Sequence, residues 1–570
     1  MQMKMKIRIQ LFLSTVLLSQ VCFVQCCFGQ RTKPLQHFWE ISPDFGDIWS
    51  HPTTEQTVRF DVESLNSAQL QDRVRVAQMI CREHNNPNFK QKARALELLN
   101  AHVTDTDAPI QLRRAIISAA TLLDDGKHAA KLWEAAQADA LMRSTVERGL
   151  IRWKCSIAIE AWRKRLSDPF AKPADIAMAI DGLAVIGGSE DTGRLQELLR
   201  SNTTTVINRH LSAIALGQLR REGLNDLAQQ VIDSDVEHRH LLAAQILRQH
   251  MGDKTLAQLR VIFNEGSNEA QFVAAQAMCD HFPDVAREYA AQMVAHADNT
   301  LRMLALNLLD KLSDEASLRL QAKLLNDRNM DIRRLAGNQL VKKAIEGQRP
   351  LIDEFISEHL SAEPWPGIEQ AIIMTVNLQD RSRCKRMVEL LEHTRPEVNM
   401  YAGWAVMELV QDEAILASIE THVEKATAFL VENGVRPPLY ASDTIRLSFL
   451  FEAFGRNKYE PMHQLLMKYV PKNDFKLGYP SRASAIWALG QLNKGKDNRA
   501  LREALFERIA DLAPVMPEDQ LVRFGCILAL GEMGFADSLP TLKKFNEGIP
   551  YPIGYACTWA TEQVEKANPK

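Results

Sequence analysis

From about residue 67 to the C-terminus, apolar positions recur every three or four residues, and polar or charged residues fill the positions between them. Stretches such as Leu224 to Ile232, Thr255 to Phe263 and Ser317 to Leu325 each carry one apolar stripe. Short polar turns separate them. The spacing predicts amphipathic helices throughout, and none of them can bury its stripe alone. Each must stack on a neighbour.

The helices fall into a repeat. Arg209-His-Leu-Ser-Ala-Ile-Ala-Leu-Gly217 reappears as Arg482-Ala-Ser-Ala-Ile-Trp-Ala-Leu-Gly490 and as Arg523-Phe-Gly-Cys-Ile-Leu-Ala-Leu-Gly531. With the arginine as register mark, related helices begin near Arg209, Arg239, Gln271, Arg302 and Arg333, about 31 residues apart, a period that holds two helices and two turns. Small residues behind the mark, such as Ala274, Ala275 and Ala277, allow stacked helices to approach closely. These positions predict an all-α, right-handed α-α superhelix of roughly fourteen helix pairs. The register residues are expected near the starts of successive parallel helices.

The stretch Asn326-Asp327-Arg-Asn-Met-Asp331-Ile332-Arg333-Arg-Leu-Ala336-Gly337 resembles the second half of a HEAT repeat, including an Asp six residues before an Arg, a pairing that returns as Asp233 and Arg239. The resemblance is closest over residues 203–346, good at 482–492 and 523–534, and looser elsewhere. It implies a HEAT-like solenoid in which these Asp and Arg residues form a hydrogen-bonded ladder between units, on helices lining the concave face. Gln271 and Thr203 depart from the pattern, so the ladder is expected to be interrupted.

The first thirty residues do not share the pattern. Lys4, Lys6 and Arg8 precede an apolar run from Leu11 to Val24, then small or thiol residues up to Gly29. That layout reads as a signal peptide over 1–29, cut after Gly29, giving a secreted or periplasmic chain. The rival is a lipid anchor at Cys26 or Cys27, for which Gln25 and Cys26 are poor flanking residues. Residues 30–66, with His37, Phe38, Trp39, Phe45 and Trp49, read as an irregular N-terminal cap or a partner-docking arm. Residues 67–346 form the regular half of the solenoid and 347–570 a divergent half with longer turns.

Charge and chemistry narrow the function. The formal net charge is −3, falling to −6 without the three basic residues of the leader, and acids and bases are interleaved, which argues against a nucleic-acid binder. The six cysteines beyond the leader are spread one per helix and read as small core residues, with Cys526 and Cys557 on adjacent register helices. There is no GxGxxG after a strand, GxxxxGK[ST], GxSxG or HExxH. No catalytic set, cofactor or metal is implied. His210 and His240 follow register arginines, so two imidazoles stand at corresponding positions without a third ligand. With Arg209, Arg239, Arg302 and Arg333 they form either a modestly basic concave stripe or members of the ladder.

Two functional classes follow. One is a non-enzymatic scaffold that binds an unidentified protein or peptide. The other is an enzyme, or an enzyme's accessory subunit, acting on an exported or cell-envelope substrate. The sequence favours the scaffold, because no acid, base and nucleophile converge. In the C-terminal half, the turns before the register helices carry Pro with aromatics: Pro364, Trp365 and Pro366; Pro437, Pro438 and Tyr440; Phe475, Tyr479 and Pro480; Pro550, Tyr551 and Pro552. All precede the same helix of the unit and so share one edge. Pro there also serves as a plain helix-start signal, while exposed aromatics are common interface anchors. That edge is the expected docking site.

Overall fold

The computed structural model describes residues 61–201, 203–434, 440–472, 476–546 and 553–569. The leader, residues 30–60, Phe475 and Tyr551 lie outside the described residues. Every described element is a helix or a turn, and no described helix is long and apolar enough to cross a membrane.

Two compact units divide between Leu320 and Gln321. In the first, the register helices are α1 (Leu70–Glu83), α2 (Ile110–Leu123), α3 (Ala140–Arg152), α4 (Pro173–Ile186), α5 (Val206–Leu219), α6 (Arg239–Leu247), α7 (Asn268–His281) and α8 (Asn299–Asp310). Each packs on the next. In the second unit they are α9 (Met330–Lys343), α10 (Trp365–Asn377), α11 (Pro396–Leu409), α12 (Tyr440–Arg456), α13 (Tyr479–Leu492), α14 (Gln520–Met533) and α15 (Ile553–Ala567), again packed serially. An intervening helix or helical segment follows every register helix except α15, which makes fourteen pairs and one closing helix along the described chain. The fold is the all-α, HEAT-like solenoid that the repeat predicts.

Close approach is what the small register residues accomplish. Ala274, Ala275 and Ala277 are fully buried. The glycine that ends the repeated motif lies directly against the backbone of the next register helix. A Cβ at Gly217 would lie 2.4 Å from the Gln245 carbonyl oxygen, at Gly490 2.6 Å from Ala529 Cα, and at Gly531 2.9 Å from Ala560 Cα. Backbone meets backbone there, so the register helices pack at the short end of the usual interaxial range of about 8–10 Å. Leucine, isoleucine and phenylalanine fill the space to either side: Leu216, Ile246, Leu489, Phe524 and Ile527 are all fully buried.

Helix starts follow ordinary capping chemistry. Asp139 accepts from the Leu141 and Met142 amides, Asp298 from Thr300 and Asp519 from Leu521. Pro173 and Pro396 open α4 and α11, while Pro366 and Pro480 fall in the first turns of α10 and α13, where a missing N–H costs nothing. The three aspartate caps also carry the charge that the helix dipole favours at an N-terminus.

Candidate protein-interaction edge

The register mark has a defined place. Arg209, Gln271, Arg302, Arg333, Arg482 and Arg523 are each the fourth residue of their helix, and Arg239 is the first of α6, which is entered through His238 in a left-handed conformation (φ 63°). The side chains of Arg239, Arg302, Arg333, Arg482 and Arg523 turn back to the end of the preceding intervening helix, whereas Gln271 meets His296 (2.9 Å) and the Arg209 Nε is buried without a hydrogen-bond partner. Arg239 Nη1 donates to the Ser234 carbonyl (3.1 Å), and Arg302 Nη1 donates to those of His296 and Ala297 (2.9 Å each). Arg482 donates from Nε to Tyr469 O (3.1 Å) and from Nη2 to Val470 O (3.2 Å); Arg523 Nε donates to Ile509 O (3.0 Å). Arg73, fourth in α1, does the same to Leu65 O (3.0 Å), and Asn399, fourth in α11, to His393 O (3.1 Å). Carbonyls at a helix C-terminus lack intrahelical donors and carry partial negative charge, so a guanidinium satisfies both needs.

Asp233 and Arg239 do not make the expected Asp–Arg pair. The Asp233 carboxylate accepts from Gln229 Nε2 (2.9 Å), and that of Asp327 accepts from the Asn329 amide (2.7 Å). Arg333 reaches the Asp327 carbonyl (3.5 Å) and pairs with Glu369 (3.1 Å) on the next register helix. The helix-end carbonyls lie in the arginines' path and accept from them. Arg302, Arg333, Arg482 and Arg523 are buried, whereas Arg209, His210, Arg239 and His240 are half-buried. Arg482 is the extreme case. Its guanidinium is fully enclosed and forms a two-pronged pair with Glu518, 2.8 Å on both sides.

The histidines are arranged differently from the register expectation. His210 faces His238, with ring centroids 5.5 Å apart and nearly perpendicular planes, whereas His240 is not in that pair. His210 Nε2 is buried without a hydrogen-bond partner, and among the described residues no three His, Cys, Asp or Glu side chains gather as a metal site. Burial first, then the neighbouring His238 and Arg209, lowers the His210 pKa to about 4. The unfolded chain therefore binds a proton that the folded chain refuses, and this contribution is present above pH 6.5 and lost as pH falls towards 4. The predicted result is a melting temperature that declines over this window in the wild type and declines less in His210→Gln. Asp181 works in the opposite sense, since burial raises its pKa to about 6, so comparison of the wild-type and His210→Gln pH profiles isolates the histidine.

All six described cysteines are unpaired, and burial raises the thiols of Cys526 and Cys557, the latter to about 12. Cys526 and Cys557 occupy alanine-like core positions on adjacent register helices.

Surface residues supply the remaining feature. Among the described residues the exposed large apolar side chains concentrate at the N-terminal ends of register helices and in the turns just before them. In the first unit these are Leu70, Ile110, Leu141, Phe170 and Ile207, one for each of α1 to α5, and Phe170 is 91% exposed. In the second they are Met330 and Tyr479, at the first residues of α9 and α13, then Leu512, Val515 and Met516 ahead of α14, and Tyr555 in α15. The opposite ends of the helices and the intervening helices carry fewer, among them Val185, Met251, Ile345 and Phe429.

The aromatics singled out in the sequence are distributed as follows. Tyr479 is 46% exposed at the start of α13, and Tyr440 opens α12. Trp365 is half-buried at the start of α10, its ring between the guanidinium groups of Arg333 (5.3 Å) and Arg395 (4.9 Å). That double cation–π contact gives the tryptophan a structural role beside any binding role. The apolar residues of the first unit's edge were missed by attention to Pro and aromatics. Their signal was an apolar residue at the first or second helical position, outside the stripe that packing requires.

No protein-family model matches the sequence, and no curated protein matches it. Among solved structures the chain is similar to importin β (12% identity, 89% of this chain and 72% of that one, TM-score 0.46), to yeast importin β, Kap95p (13%, 90% and 72%, 0.41), and to a Kap121p mutant (8%, 88% and 57%, 0.45).

Proposed function

We propose that the chain is an exported, non-enzymatic scaffold that binds a protein or peptide along the edge formed by the N-terminal ends of its register helices. The observation that carries this reading is the set of solvent-exposed apolar side chains on that edge, at α1 to α5, α9, α13, α14 and α15. Capping explains the acids and prolines of these turns but leaves Phe170, Val515 or Tyr555 in water without cause. Exposed apolar groups in series are the usual mark of an interaction surface. A stacked solenoid presents such a series without an ordering cost on binding. Export rests on the leader pattern of residues 1–29, and a mature N-terminus at Gln30 by protein sequencing is its expected sign.

The test is capture by the full chain of a stoichiometric partner from cell-envelope extract. Replacing Tyr479 and Tyr555 with Ala and Val515 with Ser should weaken capture by about tenfold or more, as loss of interface anchors does. Replacing Phe429 and Val431, exposed on the intervening helix Glu413–Asn433, with Ser should leave it intact. The reverse pattern, or turnover of an envelope polymer by a chain with no partner, overturns the proposal.

A further inference from the structure

We infer that the face of α10 to α15 turned away from their intervening helices is covered by residues 35–49 of the same chain. The position five residues after the register mark shows which face this is. In α7, α8 and α9 it holds Gln276, Asn307 and Asn338, the first half-buried and the other two exposed. A register helix packs on its two serial neighbours and on intervening segments, so this position looks out on the fourth side. From α10 onwards the same position is closed. Ile368 and Asn399, fourth in α10 and α11, place Ile373 and Trp404 there. Leu447 to Gly455 aligns with Arg482 to Gly490 and Arg523 to Gly531, and Gly455 meets Ala488 as Gly490 meets Ala529 and Gly531 meets Ala560. That register adds Glu452, Trp487, Leu528 and Trp559. Ile373, Trp404, Glu452 and Leu528 are at most 6% exposed, and the two remaining tryptophans are half-buried. A helix closed on every side is an interior helix. Glu452 is the clearest sign. Its carboxylate is fully enclosed, with Ser484 (3.2 Å) and Arg456 (3.6 Å) as partners, at a place where α8 and α9 leave an asparagine in water.

The occupant follows by elimination. Each described element in extended contact with α10 to α15 is a serial neighbour or an intervening segment, so none of them spans the fourth side. Beyond residue 61, the stretches outside the described residues lie at 202, 435–439, 473–475, 547–552 and 570, all too short to cross six helices. The N-terminal stretch is long enough. Within it, residues 35–49 have the matching character: Leu35, Phe38, Trp39, Ile41, Phe45 and Trp49 fall in fifteen residues without a helical period. Their rings suit a face that presents Trp404, Trp487 and Trp559, since aromatic pairs gain beyond the area they bury. Fifteen extended residues reach about 50 Å, and six packed helices at about 8–10 Å span about as much. The inference does not depend on the partner-binding edge.

The experiment places a benzophenone amino acid at position 39 or 45 of the full chain. Isotope-labelled and unlabelled chains are mixed and irradiated, and the cross-linked peptides are mapped by mass spectrometry. The links should join this segment to α10 to α15 within one molecule. Links confined to residues 61–320, or found only between labelled and unlabelled chains, overturn the inference. Competition supplies a second readout in fluorescence polarisation. A labelled peptide of residues 34–51 should bind the full-length variant Trp39→Ser/Phe45→Ser/Trp49→Ser at least about tenfold tighter than it binds the wild type, whose own segment fills the face at a high effective concentration. Adding Trp487→Ala to that variant should weaken the peptide by about tenfold, as loss of a central aromatic anchor does. Equal binding of the peptide to wild type and triple variant, or binding indifferent to Trp487→Ala, overturns it as well.

Discussion

Glu518→Ala should destabilise the second unit by about 3–5 kcal/mol, the largest effect expected of any single polar substitution in the chain. The Arg482 guanidinium is fully enclosed, and Glu518 meets it at 2.8 Å on both prongs. Removing the carboxylate leaves an unneutralised cation in a low-dielectric site, with the Tyr469 and Val470 carbonyls as its remaining acceptors. The pair itself is worth much less than its disruption costs, because both ions were taken out of water to form it. The double variant Arg482→Met/Glu518→Leu should therefore recover most of the loss, and urea unfolding of the single and double variants checks both statements. A single variant as stable as the wild type would mean that Arg482 finds solvent or another acid.

Gly217→Val should cost about 3 kcal/mol in the first unit. A Cβ there would be 2.4 Å from the Gln245 carbonyl oxygen and 2.9 Å from that of Ile246. Both are backbone atoms of α6, so no side chain can rotate away, and α5 and α6 must separate along their contact. Gly193 provides the contrast. It lies in the intervening helix Thr192–Arg200 with nothing within 4 Å of its would-be Cβ, and Gly193→Ala should raise stability by roughly 0.5–1 kcal/mol through helix propensity alone. Thermal unfolding of the two variants should shift in opposite directions.

These two effects mark what the sequence makes legible and what it does not. The motif from Arg209 to Gly217 and its copies at 482–490 and 523–531 reveal the register, the small-residue contacts and the terminal glycine, because all three lie within one helix. The destination of each arginine is not local. Glu518 lies 36 residues beyond Arg482, in the turn before the next register helix, and no spacing rule connects them. Asp233 and Arg239 do not pair for a related reason: the competing acceptor is a backbone carbonyl, that of Ser234, a group which every sequence possesses and none displays. His238 faces His210 because a left-handed residue enters α6, a conformation that the register arithmetic passes over. The edge was legible in part. Pro and aromatic residues point to it in the second unit, while in the first its apolar residues look like ordinary members of helical stripes.

Hydrogen exchange of the full chain, with and without its bound partner, tests the central claim most directly. Amides at the starts of the register helices and in the turns before them, including residues 168–172 and 203–208 and those at 511–522, should slow on binding, while the intervening helices Asp253–Glu265 and Glu413–Asn433 should exchange unchanged. Protection confined to the intervening helices, with the turns before α4, α5 and α14 unaffected, would contradict an interaction scaffold that works through this edge.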